Sequence, residues 1–202
     1  MTINTLLFDL GNVLLPFDVT RLANRLARFC RLSTNEIIDF LWNDYIANHF
    51  ETGKMEPHAY FAHITEVCRF ENLSYAEFKP IFNEIFDHDQ EMVEILHKLK
   101  PSYNLGLISN TNAIHVEHIL KEYPFLGLFD RHWFSNEAGI RKPDPAIYHM
   151  ALSHFSISPH QAVFVDDLNE NIESARKIGI KGILFQGAPL LKKELNTLGV
   201  QI

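Results

Sequence analysis

The sequence predicts an α/β protein, a doubly wound parallel sheet with a block of helices inserted after its first strand. Three observations carry this reading. Four short runs rich in Leu, Ile, Val and Phe read as buried strands, and stretches of helical period alternate with them. The alternation is broken once, between about Phe17 and Asp87, by several helical patterns in a row without a convincing strand.

The apolar runs are Thr5–Phe8, Leu105–Ile108, Ala162–Val165 and Gly182–Phe185, with a weaker fifth at His132–Phe134. Each is compact and bounded by turn or polar residues, as expected of a strand covered on both faces. Helical period runs over Gln90–Lys100, Asn112–Glu122, Pro145–Phe155 and Asn169–Ile178, the last closed by Gly179. Strand alternating with helix implies a parallel sheet with helices on both sides. In the insertion, Asn24–Cys30, Glu36–Ala47, Pro57–Arg69 and Tyr75–Phe86 carry apolar residues at three- and four-residue spacing, the pattern of a small bundle. Glu51-Thr52-Gly53-Lys54 reads as a turn between two of its helices. The expected division is a sheet domain of residues 1–16 and 88–202 and a helical domain of residues 17–87, with hinges near Pro16 and Asp87.

With 202 residues, 47% of them hydrophobic, the chain can bury one substantial core and a small accessory unit. A formal charge of -7, with no basic block beyond pairs such as Lys192-Lys193, argues against nucleic acid or anionic membrane as partner. Two cysteines, Cys30 and Cys68, are too few for a disulfide framework and read as buried thiols in a reducing, cytoplasmic setting. The N-terminal segment lacks a basic leader, and no apolar run approaches the ~20 residues of a membrane span.

In an open parallel sheet, ligands bind beyond the carboxyl ends of the strands. The first run ends in Phe8-Asp9-Leu10-Gly11-Asn12, the second in Ile108-Ser109-Asn110-Thr111-Asn112, and a third in Val165-Asp166-Asp167. Arg141-Lys142-Pro143-Asp144-Pro145 places Lys142 just before a helix that a proline can start. Together these residue types suit phosphoryl transfer. Asp9 can attack phosphorus and split hydrolysis into two easier steps. Asp166 and Asp167 offer hard oxygen ligands for Mg2+. Ser109 and the amides at the start of the following helix can donate to phosphate oxygens, and Lys142 adds a point charge. Taken singly, each has a plainer reading: turn chemistry at Asp9-Gly11-Asn12, a helix cap at Ser109-Asn110-Thr111, a solvated loop lysine at 142, and a cap at Asp166-Asp167. Their joint occurrence at successive strand ends favours an active site.

In these motifs the sequence resembles the haloacid dehalogenase superfamily over essentially its whole length. Phe8-Asp9-Leu10-Gly11-Asn12-Val13 is similar to the first motif of that superfamily, Ser109-Asn110 to the second, Lys142-Pro143 to the third, and Asp166-Asp167 with Asn171 to the fourth. The resemblance implies a Rossmann-like catalytic core, a helical cap at 17–87 that selects substrate, and a Mg2+-dependent phosphatase acting on a small phosphomonoester such as a sugar phosphate. It implies Asp9 and Lys142 as catalytic residues, with Asn12, Ser109, Asn110 and Lys142 around the phosphate. The implied metal set is Asp9, the Gly11 carbonyl, Asp166 and Asp167, with Asp167 as direct ligand and Asp166 acting through water.

Position 11 departs from the pattern. Phosphatases of the superfamily usually place a second Asp there to protonate the leaving group and activate water, a function worth ~10²–10⁴-fold. A branch that resembles bacterial glucose-1-phosphate phosphatases also reads Asp-Leu-Gly-Asn-Val, and an acid from the cap, or a leaving group needing little protonation, could compensate. Two rival readings stay open: a 2-haloacid dehalogenase using the same Asp without metal, and a non-catalytic phosphate-binding regulatory protein. Adjacent Asp166 and Asp167 speak against the first, and an intact Asp9 beside a metal set against the second. His115 and His118, one helical turn apart, read as an exposed helix face. Trp42, Tyr45, His49 and Lys54 read as bundle packing, and Phe125–Phe129 as a turn packed on the core.

Overall fold

The computed structural model describes residues 2–41 and 44–202, with Asp44 described by its backbone alone; Trp42 lies outside the described residues. Five parallel strands form one sheet: β1 (Thr5–Phe8), β2 (Asn104–Ser109), β3 (Arg131–Phe134), β4 (Ala162–Asp166) and β5 (Lys181–Leu184), in the order β3-β2-β1-β4-β5. Helices α6 (Gln90–Leu99), α7 (Ala113–Glu122), α8 (Ser135–Ala138), α9 (Pro145–Phe155), α10 (Asn169–Lys177) and α11 (Ala188–Thr197) belong to this layer. Helices α1 (Val19–Leu26), α2 (Thr34–Leu41), α3 (Asp44–Glu51), α4 (Pro57–Cys68) and α5 (Tyr75–Asn83) form the insertion after β1.

The alternation of side chains along a strand sorts the core into two layers. Leu6 and Phe8 point into a cluster with Met92, Leu96, Ile119 and Leu195 from α6, α7 and α11. Leu7, between them, joins Ile147, Ala151, Ile172 and Ala175 of α9 and α10 on the other face. Both faces are covered, as the unbroken apolar strands require. A third cluster belongs to the inserted helices, with Leu22, Ile37, Tyr60, Ile64 and Phe78 among its members, and α7 contributes Ile114 to it.

The helix ends follow local chemistry. Asp18, Asp89, Asn112 and Asp144 each accept amide hydrogens of the first turn of α1, α6, α7 and α9. Ser74 and Glu77 close a reciprocal capping box on α5, and Pro57 and Pro145 occupy first-turn positions of α4 and α9. The chain enters and leaves the insertion side by side. Phe17 and Phe86 form an antiparallel bridge, Asp18 N donates to Ile85 O at 2.9 Å, and Asp87 N donates to Pro16 O at 2.7 Å. Arg21 adds a two-pronged pair to Asp87.

Several expectations need correction. Of the helix expected over Glu36–Ala47, Glu36–Leu41 is helical in α2 and Asp44–Ala47 in α3, and residues 42 and 43 lie outside the described residues. Helices α8 and α11 were not anticipated; α8 is one turn long and α11 follows β5 with a strongly polar middle, so neither presents a clear apolar stripe. Cys68 is buried, but Cys30 is only half-buried. Tyr45 and Lys54 do not pack the bundle: both are exposed, and the Tyr45 ring lies against the half-buried His49, 4.2 Å between centroids. Phe125, Leu126 and Phe129 are buried in the main core as expected. No helix among the described residues is long and apolar enough to cross a membrane.

Candidate active site

The parallel register does the first part of the assembly. Phe8 pairs with Leu107 on one side and Val165 on the other, so Asp9 emerges level with Asp166, one strand spacing away. Asp9 N donates to Val165 O at 2.8 Å, which holds the nucleophile candidate to the sheet after its own strand has ended. Strands β1 and β4 are also where the chain order reverses, the switch point at which open sheets part to admit a ligand. Asp9, Asp166 and Asp167 offer ligand atoms that all lie within 4.8 Å of one another.

Lys142 is buried, and the solvated-loop reading fails. Its Nζ lies 2.5 Å from Asp9 Oδ1 and 2.7 Å from Asp166 Oδ2. Asn110 holds it there: the amide oxygen accepts Lys142 N at 2.8 Å and the amide nitrogen donates to Lys142 O at 2.9 Å. The Asn110 side chain is thereby committed to placing the lysine. Ser135 does a similar service for the next residue, accepting from Thr111 N at 2.9 Å and donating to Thr111 O at 3.1 Å. Ser109, the last residue of β2, is buried beside them.

The cap readings are also settled. Asn112, not Ser109 to Thr111, caps α7, and its side chain takes the amides of Ile114 and His115, two of the donors expected for phosphate. Asp166 does not cap α10. Its Oδ1 accepts Leu168 N at 2.8 Å and Asn171 Nδ2 at 2.9 Å, while Oδ2 takes Lys142 and Asn171. Asp167 is half as buried and accepts from Asn12 Nδ2 at 3.2 Å. Asn12 sits in the left-handed region, φ 53°, a conformation that asparagine tolerates better than most residues.

The electrostatics follow from this crowding. Burial pushes the Asp9 carboxyl up to about 7; Lys142 pulls it down and the neighbouring Asp166 charge pushes it up again. Burial also raises Asp167, against the hydrogen bond from Asn12. Lys142 is disfavoured as an ammonium by burial, yet Asp9 and Asp166 together hold it above the ordinary lysine range. Three carboxyl groups beside one lysine leave an excess of acidic over basic groups at the end of the sheet. An all-oxygen donor set with that excess fits a hard divalent cation such as Mg2+.

Between the sheet and the inserted helices lies a cavity of about 110 Å³, lined by Leu10 and Gly11, the two residues that follow Asp9. Gly11, Ser109 and Asn110 line it from below, and Phe50, Glu51 and Tyr60 from above. Glu51 was expected only as part of a turn. Its Oε2 lies 3.1 Å from Arg141 Nη2, one residue before Lys142. No sequence signal marked this pair, because the two residues are ninety positions apart and each is of a type common on surfaces. His115 also lines the cavity, and the exposed-face reading fails for it. It is buried, stacked on Phe82 at 4.4 Å, bonded through Nδ1 to Asn83 Oδ1 at 2.9 Å, and held neutral because burial lowers it to about 3.

Comparison with known proteins accords with this geometry. The profile of the family described as "Haloacid dehalogenase-like hydrolase" matches residues 7–185. The D-ribitol-5-phosphate phosphatase of Bacteroides thetaiotaomicron is 23% identical over 97% of this chain and 98% of its own. The drimenol cyclase drtB of Aspergillus calidoustus is 27% identical over 97% of this chain, which spans about a third (36%) of that relative's length. Among solved structures, the HAD family enzyme bt-2542 of Bacteroides thetaiotaomicron, in complex with magnesium and inorganic phosphate, superposes with a TM-score of 0.80 at 26% identity, covering 90% of this chain and 93% of that one.

Proposed function

Because the chain belongs to the haloacid dehalogenase-like hydrolases, we propose that it is a phosphatase that hydrolyses a small phosphomonoester, such as a sugar phosphate, through an aspartyl phosphate on Asp9. One observation carries the reading: a carboxylate at a strand end is held against a buried lysine with two further carboxylates in reach of the same ion. A haloacid dehalogenase has no use for that second pair, whereas a dianionic phosphate approaching Asp9 requires added positive charge. The D-ribitol-5-phosphate phosphatase and the magnesium and phosphate complex of bt-2542 support the same direction.

Asp9 attacks phosphorus and later releases it to water. Lys142 neutralises part of the charge that gathers on Asp9 and the phosphoryl oxygens, and Asn110 fixes the lysine backbone from which that charge is projected. Ser109, and Asn12 through the amide hydrogen left over from its bond to Asp167, would donate to phosphate oxygens. Asp9, the Gly11 carbonyl and Asp167 would hold Mg2+, which would supply charge that offsets repulsion between nucleophile and substrate. Asp166, committed to Lys142, Asn171 and Leu168 N, orients the lysine and would act on Mg2+ only indirectly. The inserted helices, residues 17–87, serve as a cap that closes over the cavity and excludes bulk water.

The test is phosphate release from a panel of phosphomonoesters, including sugar phosphates and an activated aryl phosphate, with Mg2+ and with chelator. Release that requires Mg2+ and is abolished in Asp9→Asn is expected. Halide freed from 2-haloacids without metal, and no phosphate from any ester, would refute the proposal.

A further inference from the structure

We propose that Glu51 is the proton donor and acceptor of the hydrolysis, brought down from the inserted helices into the place that a second aspartate at position 11 would otherwise serve. The proposal rests on the phosphatase reading above and adds a catalytic residue to it.

Gly11 cannot supply the proton, and packing keeps it so. A Cβ built at Gly11 would lie 2.9 Å from Phe17 Cε1, so the Phe17 ring fills the space that a side chain would need. On the opposite wall of the same cavity stands Glu51, the one carboxylic acid among the described residues that line it. The other titratable side chains there are His115, whose Nδ1 is bonded to Asn83, and Tyr60, whose hydroxyl burial pushes far up. Glu51 Oε2 is enclosed and lies 3.1 Å from Arg141 Nη2 without hydrogen-bond geometry to it, so within the cavity wall the carboxyl keeps an unmet hydrogen-bonding capacity.

The groups facing Glu51 are Arg141 and Lys142 from the segment before α9 and Tyr60 from α4. Burial raises the carboxyl above the ordinary glutamate range, outweighing both cations. A carboxyl so placed can carry its proton nearer to neutral pH, as a general acid must. Its position is fixed through the backbone: two residues on, Gly53 (φ 67°) lies so close to the Asn136 backbone carbonyl that a Cβ there would be 2.2 Å from the oxygen.

In the first step the bond from Asp9 to phosphorus forms as the bond from phosphorus to the ester oxygen breaks. The electron pair goes to that oxygen, which takes the Glu51 proton and leaves as the alcohol. In the second step a water oxygen bonds to phosphorus, its proton passes to Glu51, and the electron pair of the phosphorus bond returns to Asp9. Glu51 ends protonated, as it began.

The experiment compares wild type, Glu51→Gln and Arg141→Gln on two esters with Mg2+: an alkyl phosphate, whose alkoxide needs a proton to leave, and p-nitrophenyl phosphate, whose nitrophenolate does not. Glu51→Gln is expected to lower kcat/KM for the alkyl ester by about 10²–10⁴-fold, while single-turnover release of nitrophenolate stays near the wild-type rate. Arg141→Gln breaks the same ion pair but keeps the carboxyl, and is expected to keep the wild-type ratio between the two esters. Equal losses on both esters in Glu51→Gln, or the same selective loss in Arg141→Gln, would overturn the proposal and leave Glu51 a mere latch. If wild type and Asp9→Asn are alike inactive on every ester, the phosphatase reading itself falls and takes this one with it.

Discussion

Removal of divalent metal should make Asp9 a liability whose size depends on pH. In the metal-free protein its carboxyl is raised from 3.8 to about 7, chiefly by burial. A folded-state value above the unfolded one means that the folded state binds the proton more tightly. The stabilisation is therefore complete below about pH 4 and is lost as pH rises to 7. About three pH units at ~1.4 kcal/mol each give ~4 kcal/mol as the size of the loss. The assay is urea unfolding of wild type and Asp9→Asn in chelator at several pH values from 4.5 to 8. The difference between the two proteins isolates Asp9 from carboxylates that shift the other way, such as Asp87 and Glu36. Asp9→Asn should gain on wild type as pH rises, and saturating Mg2+, which favours the ionised carboxylate, should cancel that gain. Parallel pH curves for the two proteins in chelator, or a wild-type curve that Mg2+ leaves unchanged, would refute the argument.

Other consequences can be checked on the same footing. Lys142→Met leaves Asp9 and Asp166 buried without their shared cation, and urea unfolding at pH 7 in chelator should show a loss of ~3–5 kcal/mol. Asn110→Ala removes both bonds to the Lys142 backbone, so kcat for phosphate release should fall although the lysine is still present. Gly11→Asp forces a side chain into the Phe17 ring and should cost ~1–3 kcal/mol in thermal or urea unfolding, a penalty that Phe17→Ala in the same chain relieves. His115→Ala removes the ring stacked on Phe82 and orphans Asn83 Oδ1, and should destabilise by about 2–4 kcal/mol at pH 8; because burial keeps the native imidazole neutral while the unfolded one binds a proton below its ordinary value of 6.5, wild type loses stability as pH falls from 7 to 5 and the gap between the two proteins should narrow there.

What could be read from the sequence was whatever is written locally. A strand buried on both faces is apolar along nearly its whole length, and Leu6–Phe8 and Ala162–Val165 show it. Asp9 and Asp166 could be anticipated as site residues because each directly follows or ends such a run, and the sheet does the rest. Lys142 is a different case. Nothing near it in sequence says that it will be buried, since the carboxylates that hold it come from strands far along the chain and the amide that clamps it belongs to Asn110. His115 was misread for the related reason that its helix buries a second face, against Phe82 of the insertion, which the period of α7 alone does not reveal. Glu51 shows the same limit most sharply, because its meaning depends on a cavity whose other wall is a glycine forty residues earlier.

The two crossings between the layers were described as an antiparallel pair at Phe17 and Phe86. Mechanically such a pair is a leaf spring. It flexes across its flat face, but it resists being sheared or stretched, because either would break the hydrogen bonds of Asp18 and Asp87. Were the inserted helices to lift, these bonds would confine them to a single arc and bring the Glu51 carboxyl back to the same point. Phe17 is at once a member of the pair and the ring that rests where a side chain of residue 11 would be, so the clearance left by Gly11 is filled from the same strand pair that joins the two layers.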